Sequence, residues 1–316
     1  MTGSVPVLHL AEIEAPRSEA LDRACREWGF FQITGHGISR HHLDALQTAM
    51  TSFFQLDARH KQGIRRSATN PWGYYDQELT KNRRDWKEIL DLGNPSLPPD
   101  DIFPEAANQW PSLAGFRPVM ERHFAACAEI SQRLVDAIAR NLGAKEHALA
   151  GVFDPHTSYL RLNHYPVCPN PAAADAATVP EAGALGISHH TDAGAVTVLV
   201  QDEVAGLQVL KDGRWILIEP HPDALVVNLG DGVQVWSNDR YRAPLHRVLA
   251  NAERSRHSAA FFFNPAYHAD YATLVDEPPR YRPIHWGEFR RGRAGGDYQD
   301  LGEEIQIGHY RIAAPA

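Results

Sequence analysis

Apolar and polar positions follow two different periods along this chain, and the change falls at Ser158. Before it, apolar residues recur at three- and four-residue steps, the spacing that gathers side chains on one side of a helix. Leu21, Ala24, Cys25 and Trp28 set out one helix over Ser18 to Trp28, stopped by Gly29. Leu43, Leu46, Met50 and the Phe53/Phe54 pair set out a second behind Ser39, a suitable N-cap. A longer third helix is expected over Phe116 to Leu142, where Val119, Phe124, Cys127, Ile130, Leu134 and Ile138 form a stripe before Gly143. Two extended runs, VPVLHL and Phe30 to Ile33, interrupt this helix-rich part.

From Ser158 onward the chain breaks into short runs rich in Val, Leu, Tyr and Phe, separated by turn residues. These are SYLRLNHY, AVTVLVQ, GLQVLKDGRWILIEP, ALVVNLGDGVQVW, HRVLAN and SAAFFFNP. Such runs predict a β-sandwich or barrel. Asp212-Gly213 predicts a hairpin turn, and Asn228 to Gly232 a second tight bend. The organisation expected is a helix-rich N-terminal region over 1–110, a helix plus β core over 111–270, and a Pro-, Arg- and Gly-rich wrapping segment over 271–316, all in one globule. No internal repeat interrupts it.

With 43% hydrophobic and 22% charged residues among 316, the chain has the material for a packed interior. A net charge of −8 argues against nucleic acid as a partner, since phosphate recognition needs a basic face. The three cysteines, Cys25, Cys127 and Cys168, are widely spaced and suggest neither a disulfide framework nor a zinc site. No apolar run reaches membrane-spanning length and no basic-then-apolar leader opens the chain. A soluble, cytoplasmic protein acting on a small-molecule substrate is expected.

Seventeen histidines are too many for all to be functional, so position must choose among them. In an extended strand, residues two apart share a face, so His190 and Asp192 in SHHTDAG point together while His189 and Thr191 point away. His246, at the head of another strand-like run, is the best third partner. Two histidines and one carboxylate form the facial triad that leaves positions open on Fe(II). Arg256 and Ser258 likewise share one strand face, and a guanidinium beside a hydroxyl suits a carboxylate.

Several pieces, in order, resemble the family of isopenicillin N synthase and the plant-type 2-oxoglutarate-dependent dioxygenases. They are WGFFQITGHGI, GYY, DWKEILDLG, LNHYPVCP, HTDAGAVTVLVQD, VVNLGDGVQVWSNDRYRAPLHRV and RHSAAFFFNP. The resemblance spans almost the whole chain, with Gly35 standing where the family usually has Asn. It implies a mixed α+β fold whose core is a double-stranded β-helix, or jelly roll. It further implies that His190, Asp192 and His246 are both the metal ligands and the catalytic centre, and that Fe(II), 2-oxoglutarate and O2 are required. Arg256 and Ser258 would bind the distal carboxylate of 2-oxoglutarate beside Tyr165, with Asn163 facing its chelating end. Gly29, Phe30, Phe31, Gly206 and Asn228 are read as packing and turn residues. Tyr74, Tyr75, Lys81, Phe263 and Tyr267 are the candidate pocket residues. The activity implied is hydroxylation, desaturation or cyclisation with release of succinate and CO2. Two rivals stand beside it: an Fe(II) oxidase that does without 2-oxoglutarate, and a non-catalytic binding protein on the same fold.

Overall fold

The computed structural model describes residues 4–98, 103, 105–295 and 302–312. Helix α1 (Leu10–Ile13) follows strand β1 (Val7–His9). Ser18 caps α2 (Glu19–Glu27) by accepting from the Leu21 amide at 3.2 Å, and Ser39 caps α3 (Arg40–Phe54) in the same way from His42. Gly29 and Gly143 both take left-handed backbone just past their helices, the conformation that ends a helix cheaply only for glycine. Strand β2 (Phe30–Thr34) lies between α2 and α3, and α4 (Ala58–Gln62) is a short sequel. Three brief strands, β3 (Gly73–Tyr75), β4 (Leu79–Thr80) and β5 (Arg83–Arg84), lead to β6 (Glu88–Gly93) and then to the long α5 (Phe116–Leu142).

The β core begins with β7 (Tyr159–Tyr165), β8 (Leu185–His190) and β9 (Val196–Gln201). It continues through the hairpin of β10 (Leu207–Lys211) and β11 (Arg214–Leu217), whose turn residues Asp212 and Gly213 both have positive φ, as expected for Asp-Gly. Then come β12 (Leu225–Leu229), β13 (His246–Leu249) and β14 (Arg256–Phe263). An eight-stranded sheet runs β1-β2-β12-β9-β14-β7-β6-β3, and a four-stranded sheet runs β11-β10-β13-β8. This is the jelly-roll architecture expected, and the N-terminal region supplies strands to its larger sheet as well as helices.

Alternation sorts the large sheet into two faces. Leu160, Leu162, Val196, Val198, Leu225, Val227, Phe261 and Phe263 join the main core, where α3 and α5 also lay their apolar stripes. Each such side chain contributes about 1.5–3 kcal/mol on full burial. The opposite parity faces the small sheet: Val226 and Tyr165 pack there with Leu207, Val209 and Val248. Where that inner layer runs out of apolar side chains, a cavity opens.

Two expectations need correction. Asn228 is no bend residue: it lies inside β12, and the chain turns at Gly230 straight into α6 (Asp231–Trp236). The C-terminal segment is more than wrapping, because it forms α7 (Trp286–Gly295), which packs Trp286 and Phe289 into the core. The stretch 296–301 within it lies outside the described residues.

Candidate active site

The register of two strand pairs assembles the site. In β8 and β13, His190 and His246 are direct cross-strand partners, with ring centroids 4.2 Å apart. In β7 and β14, Arg256 faces Tyr165 and Ser258 faces Asn163. All six line one cavity between the sheets, together with Asp192.

Strand β8 ends at His190, so Asp192 is not in the extended run first expected. It sits in the following loop, where its carbonyl accepts from the Asp231 amide at 2.7 Å, and it still meets His190 on one side. One donor atom from each of His190, Asp192 and His246 lies within 4.8 Å of the others. Asp192 Oδ1 is 3.6 Å from His190 Nε2 and 3.7 Å from His246 Nε2. Both imidazoles spend Nδ1 on a backbone carbonyl two residues back, Ser188 at 2.8 Å and Pro244 at 3.1 Å. Carbonyls only accept, so Nδ1 carries the proton and each Nε2 lone pair faces the centre. Burial first, and then His246, push the His190 imidazole well below its ordinary value, which keeps it neutral. Burial works against the Asp192 carboxylate, yet His246, His190 and two hydrogen bonds hold it below the usual range. Two imidazoles, each with Nε2 turned to the centre, and one carboxylate fit Fe(II).

The co-substrate end also tests well. Arg256 is 2% exposed; its Nε donates to the Val204 carbonyl and one Nη to Gln201, both at 3.1 Å. Its other Nη is buried with no partner among the described residues, as is Asn163 Oδ1. Buried orphans of this kind are rare and costly, and a carboxylate at this point would satisfy the guanidinium. A β-carbon on Gly206 would come within 3.2 Å of Arg256 Cδ, so that glycine makes room for the side chain. The Tyr165 ring lies 5.1 Å from the Arg256 guanidinium, and Phe30 sets its ring edge-on to His246 at 5.9 Å.

Asn228 and Thr197 escaped notice as site residues. Thr197 Oγ1 and Asn228 Nδ2 both donate to Asp192 Oδ2, at 2.5 Å and 2.7 Å, which leaves Oδ1 for the centre. His189, as expected, is not in the cavity wall. The five pocket candidates fail. Tyr74 is buried and hydrogen-bonds Glu88, and Tyr75 lies beneath Arg65 and Arg66. Phe263 stacks on Phe153 in the core, and Tyr267 lines a separate depression with Trp72 and Trp110. Lys81 stands just outside, paired with Glu304, which does line the cavity. The wall is built instead by Tyr159, Arg161 and Phe262, by Leu79 and Thr80, and by Trp286, Arg290 and Arg293 of α7.

A two-histidine, one-carboxylate centre between the sheets of a jelly roll defines the class of mononuclear non-haem metal oxygenases. The comparisons with known proteins go further. Residues 156–265 match the 2OG-Fe(II) oxygenase superfamily, and residues 5–113 match the non-haem dioxygenase in morphine synthesis N-terminal family. The chain is 34% identical over 301 residues to gibberellin 2-beta-dioxygenase 6 of Oryza sativa subsp. japonica, covering 92% of this chain and 78% of that one. It is 33% identical over 281 residues to jasmonate-induced oxygenase 2 of Arabidopsis thaliana, covering 85% and 72%. The crystal structure of JOX2 in complex with 2OG, Fe and JA superposes with a TM-score of 0.81 at 29% identity, covering 98% of this chain and 90% of that one. The chain belongs to the 2OG-Fe(II) oxygenase superfamily. It is an oxidoreductase that uses Fe(II) and 2-oxoglutarate and acts on small molecules, and both rival readings give way. No helix among the described residues is long and apolar enough to cross a membrane.

Proposed function

We propose that His190, Asp192 and His246 hold Fe(II), and that Arg256 and Ser258 hold the distal carboxylate of 2-oxoglutarate, with Tyr165 beside them and Asn163 toward the chelating end. The observation that carries this reading is the convergence of two Nε2 lone pairs and one carboxylate oxygen within 4.8 Å, opposite a buried arginine with an orphan Nη. Bound Fe(II), with 2-oxoglutarate and O2, supplies the oxidising power for hydroxylation, desaturation or cyclisation, releasing succinate and CO2. The chain's own residues do the placing. Arg256 fixes the far end of the co-substrate by charge and by the planar fork that only a guanidinium offers. Thr197 and Asn228 hold Asp192 with one oxygen turned inward. Leu199, Leu207, Val248 and Ile187 keep water from the co-substrate end of the cavity.

The working compartment is proposed to be the cytoplasm, supported by three buried free thiols and a net charge of −8, which also disfavours nucleic acid. The test is anaerobic absorption spectroscopy of the Fe(II) protein titrated with 2-oxoglutarate. A visible metal-to-ligand charge-transfer band is expected in the wild type and not in His246→Ala. A band that survives that substitution would send the ligand assignment elsewhere.

A further inference from the structure

Beyond the residues already used, the cavity wall is unequal in charge. Its cations are Lys87, Arg161, Arg256, Arg290 and Arg293, and its anions Glu78, Asp192 and Glu304. Most of them have evident partners. Lys87 meets Glu78 at 2.6 Å and Asp85 at 3.2 Å. Arg161 holds Asp91 with two nitrogens at 2.8 Å and Glu78 with the third at 2.9 Å. Glu304 pairs with Lys81 at 2.9 Å. On the reading above, Asp192 belongs to the metal and Arg256 to the co-substrate.

Arg293 is different. Its Nη2 donates to the Thr191 carbonyl at 2.9 Å, while its Nη1 is buried and has no partner among the described residues. The buried acid Asp231 acts on Arg293 through charge, but no hydrogen bond joins the two among the described residues. Arg290 stands three residues earlier on the same side of α7, with its guanidinium 5.5 Å from the Tyr159 ring. Around them the wall is aromatic: Tyr159 stacks on Phe262 at 4.7 Å, and Trp286 is held by its indole nitrogen to Thr157 at 2.8 Å.

A guanidinium with one arm fixed and one buried arm unsatisfied is prepared for an anion, and a carboxylate is the anion its fork fits best. The fixed arm matters as much. Thr191 lies between His190 and Asp192, so a group held by Arg293 is placed relative to the metal-site loop itself. Resting on the metal-site reading above, we propose that the primary substrate is a carboxylic acid: Arg293 receives its carboxylate, and its apolar body lies against Tyr159, Phe262 and Trp286.

The experiment uses the anaerobic Fe(II) protein with 2-oxoglutarate. The probes are 3-phenylpropanoate, 4-phenylbutanoate and cyclohexylacetate, each with its primary amide. Binding is read by calorimetry and by perturbation of the charge-transfer band. At least one acid is expected to bind about ten- to a hundredfold more tightly than its amide, the size of one charge-assisted contact. Arg293→Gln should erase that preference and Arg293→Lys keep part of it, with 2-oxoglutarate affinity unchanged in both as the check on folding. A normal band with no acid outbinding its amide, or a preference that survives Arg293→Gln, overturns the inference alone. A missing band with the acid preference intact overturns the metal-site reading and leaves Arg293 standing.

Discussion

Asn228 donates its side-chain amide to Asp192 Oδ2 at 2.7 Å, and Thr197 donates to the same oxygen from the neighbouring strand. Asn228 and Thr197 are themselves cross-strand partners in β12 and β9, so backbone register delivers both donors at once. Loss of such a donor to a metal-ligating group typically costs about 10- to 100-fold in metal affinity. Asn228→Ala and Thr197→Val should each weaken Fe(II) binding by that order, with the circular dichroism spectrum unchanged. Wild-type iron affinity in both variants would show that Asp192 needs no such support.

His190→Ala, Asp192→Ala and His246→Ala are each expected to abolish iron-dependent turnover while the fold survives, since the core is built without them. His189→Ala, one residue out of phase, should retain iron. Metal analysis of the purified variants decides the matter: iron lost with His189 and kept with His190 would place the ligands on the wrong side of β8.

For Arg256, the expected loss in 2-oxoglutarate affinity on Arg256→Ala is on the order of 2–5 kcal/mol, or roughly thirty- to several-thousand-fold. Arg256→Lys should lose less, keeping the charge without the fork. Iron affinity should be unchanged in both. Equal 2-oxoglutarate affinities across the three proteins, measured by anaerobic titration, would remove Arg256 from the site.

A pH dependence of stability is expected from His123, buried in α5 against His42 and Cys127. Burial chiefly, and then the charge of His42 and His36, lower its imidazole from 6.5 to about 3. The unfolded chain takes up a proton near 6.5 that the folded one refuses, so stability is present above that pH and is lost as pH falls toward 3. The slope is about 1.4 kcal/mol per pH unit. Denaturant melts of His123→Gln should therefore lose about 2 kcal/mol less than wild type between neutrality and pH 5. Parallel curves for the two proteins would count against a neutral buried His123.

Much of the site was legible because it is written in strand parity. Arg256 and Ser258 share a face by local alternation, whereas Asn163 and Tyr165, which share the facing one, are implied only by the resemblance to the family. The same rule, carried four residues further along β14, points to Phe262, and the choice of Phe263 broke it. Carried backward along β7 it points to Arg161 and Tyr159. Asn228 was passed over because a Gly-Asp-Gly run invites a turn, while the tertiary pairing of β12 with β9 and β2 continues the strand through it. Arg293 and Trp286 gave no local signal at all. Their place in the wall depends on how α7 docks, which no short-range periodicity encodes.

The order of the large sheet has a consequence for how the protein can be cut. Strands β12, β9, β14 and β7 lie at its centre, with β2 and β1 on one flank and β6 and β3 on the other. The first hundred residues thus close both sides of the sheet at once. A chain begun after them would present two long rows of unpaired backbone amides and carbonyls on β12 and β7, templates for strand addition by any similar molecule. The N-terminal segment thus covers both edges that would otherwise lie open to strand addition.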